Sequence, residues 1–116
     1  MNDGVFHCPV EVSMDVLAGK WTVVVLAHLK DEVLRFSELR RRIPDITDKM
    51  LTQRLRSLED DGIVERRVLG DTPPHVEYRL TQEGESLRPV LQALYDWGEL
   101  WTARRNLAVV APAGPG

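Results

Sequence analysis

The spacing of apolar residues changes several times along this 116-residue chain, and each change predicts an element. Pro9 suits the first position of a helix, where its missing N–H costs nothing. Val12, Val16 and Leu17 follow on one face, and Gly19 is the expected end of that helix. Lys20 to Leu29 is apolar almost all round. Its β-branched run is compatible with a strand, but its length and the Trp21, Val25, Leu29 spacing predict a buried helix. Val33 to Phe36 reads as a short extended piece. Ser37 to Ile43 then reads as a short basic helix and Pro44 to Ile46 as a turn. Thr47 to Asp61 is an amphipathic helix stopped at Gly62. Val64 to Leu69 and Val76 to Leu80 are strand candidates; in the second, Val76, Tyr78 and Leu80 alternate with Glu77 and Arg79. Leu69 to His75 forms a turn-rich loop holding Pro73 and Pro74. Thr81 is the expected N-cap of a long last helix to about Asn106, which Pro89 should kink or deprive of a hydrogen bond.

Helix, turn, helix and hairpin in that order predict an α+β, mainly α fold, a winged helix-turn-helix whose second helix enters the DNA major groove. Residues 1–8 read as an arm, 9–106 as the domain, and 107–116 as a flexible Ala/Pro/Gly/Val-rich tail. At 100° per residue, Leu51, Leu55 and Leu58 share the buried side of the second helix. Lys49, Gln53 and Arg56 fall on the opposite side, flanked by Thr52 and Ser57. A solvated helix face would look the same. A basic helix before it and a hairpin after it make base contact by Lys49, Thr52, Gln53 and Arg56 the better reading: Arg or Lys suits guanine, Gln adenine and Thr a thymine methyl. Ser37, Arg40, Arg41, Arg42, Thr47 and Arg54 are candidates for the DNA backbone, with Thr47 capping the helix towards a phosphate. His75 and Arg79 are the wing candidates, and Asp71 works against that contact.

Charge sharpens this picture. The chain carries a formal net charge of -3, yet Arg35 to Arg56 holds seven basic residues against three acidic ones. An acidic body with one basic face favours a single docking orientation over indiscriminate coating of nucleic acid. On the last helix Leu87, Leu91, Leu94, Trp97 and Trp101 recur every three to four residues. Packing on the domain's own core is one use of that seam; a second copy of the chain is the preferred one, giving a homodimer with dimerisation helices at both termini. No apolar run approaches a membrane span, and the start has no secretory pattern. The single cysteine, Cys8, excludes an intrachain disulfide and fits the cytoplasm.

Cys8-Pro-Val-Glu, Leu17-Ala-Gly-Lys-Trp-Thr22, Arg35-Phe-Ser-Glu-Leu-Arg40, Lys49-Met-Leu-Thr-Gln-Arg-Leu-Arg56, Leu58-Glu-Asp-Asp-Gly-Ile63 and Pro73-Pro-His-Val-Glu-Tyr-Arg-Leu-Thr81 together resemble the HxlR-type winged-helix regulators, relatives of the MarR group. The resemblance runs from about Cys8 to Trp101. It implies a dimeric bacterial or archaeal transcription regulator, repressing or activating a neighbouring operon that commonly handles electrophiles, oxidants or xenobiotics. His75 departs from the pattern, since a permanently basic residue is frequent there. Some such regulators sense oxidants or electrophiles through a cysteine near the N-terminus. Cys8, just before Pro9 and beside His7, sits where a helix dipole favours reactivity. Its alternative is a small buried hydrophobe at the dimer interface.

Other function classes find less support. His7, His28 and His75 are scattered, with no metal-ligand or triad spacing and no Gly-rich phosphate loop, so neither an enzyme nor a metal or cofactor is expected. A winged helix that binds protein instead of DNA is the serious rival. A small-molecule effector between the dimer helices, against Trp21, Trp97 or Trp101, is a further variant of the DNA reading.

Overall fold

The computed structural model describes residues 4–70 and 72–110. Its elements are α1 (Pro9–Val16), α2 (Lys20–Leu29), β1 (Leu34–Arg35), α3 (Phe36–Arg42), α4 (Asp48–Asp60), β2 (Val64–Leu69), β3 (His75–Leu80), α5 (Gln82–Glu85) and α6 (Arg88–Arg105). The α+β, mainly α expectation holds: helices enclose one small antiparallel sheet of order β1-β3-β2. Leu34 pairs with Tyr78 and Val64 with Leu80, so the short extended piece before α3 does join the hairpin.

The core forms where the apolar faces converge. Val25, Leu26 and Leu29 of α2 pack with Leu39 of α3, Leu51, Leu55 and Leu58 of α4, and Val64, Tyr78 and Leu80 of the sheet. The β-branched α2 is therefore a helix because it is surrounded, and burial overrides its modest propensity.

Three expectations are corrected. Gly19 does not end α1; Leu17 does, turning inward, and Gly19 at φ +87° is the residue before α2. The last helix is two helices. Thr81 caps the four-residue α5, with its hydroxyl accepting from the Gly84 N–H at 3.1 Å. Pro89 marks the interruption: it stands in the first turn of α6 with no N–H to give the Glu85 carbonyl, so the expected lost bond falls at the junction of the two helices and not within α6. Leu91 and Leu87 belong to the protomer's own core rather than to a free seam: Leu91 is 1% exposed and Leu87 is half-buried against the core. Asp71, residues 1–3 of the arm and 111–116 of the tail lie outside the described residues; residues 107–110 carry no helix or strand.

The start of α5 is held against the end of α4 by a specific set of contacts. The Ile63 N–H donates to Leu58 at the end of α4, and the Ile63 carbonyl accepts the Thr81 N–H at 3.0 Å. The Thr81 hydroxyl also points at this turn, 2.6 Å from the Gly62 carbonyl and 3.1 Å from that of Ile63. Gly84 closes over the same carbonyl so tightly that a Cβ there would stand 2.2 Å from the Ile63 oxygen. We expect Gly84→Ala to lower stability by about 1–3 kcal/mol, since backbone must shift to admit a methyl group. Gly98→Ala, in α6 with nothing within 4 Å of its Cβ position, should be neutral or stabilising. Thermal denaturation of both variants checks this, and equal melting temperatures would contradict it.

Candidate nucleic-acid interface

The α3–turn–α4 unit places the basic segment on one side of the molecule. Pro44 and Asp45 turn the chain while Ile43 and Ile46 anchor it in the core. Thr47 then starts α4 as its sequence predicts, its hydroxyl accepting the Met50 N–H at 3.0 Å. With Leu51, Leu55 and Leu58 at most 1% exposed, the register of α4 is fixed. Lys49, Gln53 and Arg56 consequently project into solvent, with Thr52 half-buried beside them. None of Lys49, Gln53 and Arg56 has a hydrogen-bond or ion-pair partner among the described residues.

The neighbouring cations behave differently. Arg40 is paired with Asp48 at the start of α4, and also lies 3.5 Å from the Ile43 carbonyl. Arg42 makes a two-pronged ion pair with Glu32. That pairing raises the Arg42 guanidinium above its ordinary range and holds the Glu32 carboxyl below the usual carboxylate range. His28 is pushed down, first by burial and then by the Arg42 charge, against an opposing pull from Glu32. Asp31, next to Glu32, accepts from Lys30 at 2.8 Å and from Arg88 at 2.9 Å, and both hold its carboxyl down, Lys30 the more. Two adjacent carboxylates thus tie α3 and the start of α6 to the end of α2. Ser37 and Arg41 are exposed on α3.

Arg54 lies elsewhere. It is half-buried on the side of α4 towards α1 and α2, a terminal nitrogen 3.6 Å from where a Cβ on Gly19 would be, and its Nε is buried without a partner among the described residues. It does not share the face of Gln53. A cleft of about 710 Å³ opens there, with Asp15, Asp61 and Glu83 among its lining groups.

On the sheet, alternation separates the two faces. Val64, Arg66 and Val68 share one side with Val76, Tyr78 and Leu80, the side packed towards α4. Glu65 and Arg67 share the outer side with His75, Glu77 and Arg79. Both wing candidates therefore face outward, with acidic neighbours: His75 lies 3.5 Å from Glu77, and Arg79 lies 3.2 Å from Glu65, which Arg67 also approaches at 3.3 Å. Arg66, not among the sequence-derived site residues, is the strand residue brought next to α4. The parity of Val64, Arg66 and Val68 in β2 was the available signal.

At the termini, Cys8 is exposed and precedes α1 in extended conformation. His7 lies close to Glu11 instead, 3.9 Å away. On α6, Leu94, Trp97 and Trp101 are exposed, and the two indoles stack with centroids 5.0 Å apart. Val10, Val12 and Met14 are exposed on α1. Among the described residues, no cluster of His, Cys, Asp and Glu could hold a metal ion, and no helix is long and apolar enough to cross a membrane.

Residues 16–106 match the model of the HxlR-like helix-turn-helix family. The chain is 50% identical over 106 residues to an HTH-type transcriptional regulator of Methanothermobacter thermautotrophicus, covering 91% of this chain and 81% of the relative. Among solved structures, the redox regulator HypR in its oxidised form is 49% identical, with a TM-score of 0.76 over 79% of this chain and 95% of HypR. The reduced form of the transcriptional regulator YodB from Bacillus subtilis is 39% identical, with a TM-score of 0.69 over 81% of this chain and 93% of YodB. These relatives are named as regulators, not enzymes.

Proposed function

We propose, for a chain that belongs to the HxlR-like helix-turn-helix family, that two copies bind an inverted-repeat operator with one α4 in each major groove. The chain is a transcriptional regulator with a helix-turn-helix domain. The observation that carries the finer reading is the α4 face itself. Lys49, Gln53 and Arg56 stand exposed and unpartnered among the described residues, while nearby Arg40 and Arg42 are held by carboxylates. Unsatisfied donors on a rigid helix are ready for base edges, with Thr52 beside them for a thymine methyl. Ser37, Arg41 and the Thr47-capped end of α4 meet the phosphates on either side. Arg40 and Arg42 join them only by exchanging Asp48 and Glu32 for phosphate. The protein then works in the cytoplasm, where its DNA is.

The homodimer is formed by α1 and α6. Leu94, Trp97 and Trp101 present apolar area that the protomer leaves open, as do Val10, Val12 and Met14. Leu87 and Leu91 support this helix from inside.

The sequence-reading test uses substitutions on two helices. Gln53→Ala or Arg56→Ala should weaken operator binding by about 1–3 kcal/mol and relax preference at one base position. Arg41→Ala should weaken all duplexes alike and flatten the salt dependence. Fluorescence anisotropy on operator and scrambled duplexes checks this; undiminished discrimination by Gln53→Ala and Arg56→Ala would contradict it.

Control by oxidants or electrophiles is the second part of the reading. Cys8 is exposed at the start of α1, a helix of the proposed dimer interface, and HypR is a redox regulator. Two thiols, one per subunit, can be oxidised to a Cys8–Cys8 bridge by an external oxidant, or each can be alkylated. Treating the protein with diamide should change operator affinity in the parent and leave Cys8→Ser unaffected. Equal responses of the two proteins would overturn it.

A further inference from the structure

We propose that Arg66 on β2 holds a DNA phosphate in the cleft between α4 and the sheet, an assignment that rests on the DNA-binding reading above. The cleft has a volume of about 440 Å³, and Thr52, Arg56 and Glu59 of α4 line one side while Arg66, Val76 and Tyr78 line the other. Arg66 is exposed and, like Arg56, has no hydrogen-bond or ion-pair partner among the described residues. Arg67 and Arg79 point to the opposite face of the hairpin and share Glu65. The cleft thus brings two free guanidiniums against one carboxylate, whereas the outer face of the same hairpin offsets its cations.

Geometry gives this charge an occupant. When a recognition helix lies in the major groove, the sugar–phosphate strand bordering that groove must pass beside the helix. On the β2 side of α4 the space beside the helix is this cleft. Leu55 and the Tyr78 ring are buried beneath it, so the donors it can offer an anion are the two guanidiniums and the Thr52 and Tyr78 hydroxyls, of which only the guanidiniums carry positive charge. A guanidinium matches a phosphate with two parallel N–H donors. Arg56 then reads a base edge while Arg66 grips the phosphate beside it. Arg66 supplies position without sequence information.

The assignment is tested by anisotropy titrations of parent, Arg66→Ala, Arg66→Lys and Arg79→Ala across a range of salt concentrations. Each protein is titrated with its selected operator and with a scrambled duplex. Arg66→Ala should lose about tenfold or more in affinity on both duplexes alike, and its salt slope should fall by about one. Arg66→Lys should keep the parent slope, and Arg79→Ala, which removes the same charge from the outer face, should change it less. An Arg66→Ala slope equal to that of the parent or of Arg79→Ala would overturn the assignment and leave the DNA reading standing. So would a loss confined to the operator, which would make Arg66 a base reader. If the folded parent binds neither duplex, the DNA reading fails and this assignment fails with it.

Discussion

The relative position of the recognition helix and the hairpin depends on one turn, where α4 ends and β2 begins. The Ile63 amide closes on α4 through Leu58, while its carbonyl receives the Thr81 amide from the far end of β3. Gly84 presses on that oxygen at a distance no side chain would allow, and the Thr81 hydroxyl bridges the turn and α5. A backbone carbonyl buried among these groups cannot be left unpaired without cost. Recognition helix, hairpin and the start of α5 are therefore locked as one unit. A wing built on a fixed base can present Arg66 to α4 at one separation, which a phosphate strand requires.

Electrostatics divides the basic residues into two groups. Those that hold the fold together are paired: Arg42 to Glu32, Arg40 to Asp48, and Arg88 to Asp31 and Glu85. Exposed pairs of this kind add little stability individually. Their effect here is on orientation, because Asp31 and Glu32 are sequence neighbours that reach α6 and α3 respectively. Lys49, Arg56 and Arg66 are not engaged in this way: Arg56 and Arg66 lie on the surface that α4 and β2 share, and Lys49 is exposed in the first turn of α4. The net negative charge of the rest of the chain then makes that surface the favourable approach for a polyanion.

Much of this was legible in the residues. The face of α4 follows from the 3.6-residue period, because Leu51, Leu55 and Leu58 leave no second way to bury the helix, and the Thr47 cap is a purely local signal. The order of helices and strands was likewise visible, with β1 found against β3 as the extended Val33 to Phe36 suggested. What sequence spacing could not resolve was tertiary. Leu91 and Leu94 belong to one periodic seam, and only the position of the core tells that the first is inside and the second outside. The last helix divides just before Pro89, and the docking of its first segment on Ile63, some twenty residues upstream of Gly84, has no signal in local spacing. Arg40 and Arg42 looked available for DNA until Asp48 and Glu32 were placed beside them. Arg54 sits one position from Gln53 yet turns about 100° away, towards α1. Arg66 is visible in the sequence as one of three strand cations with Arg67 and Arg79, and only the pairing register puts it alone on the side towards α4.

Everything above converges on two copies of this fold recognising one specific DNA sequence together. Selection from a random duplex pool, followed by titration of the enriched sequence at several salt concentrations with Cys8 fully reduced, addresses it most directly. The expected result is an inverted repeat whose half-sites are about one helical turn apart, bound with a steep salt dependence. A folded, dimeric protein that enriches no sequence above background would contradict it, and would make the exposed face of α4 a surface for another protein.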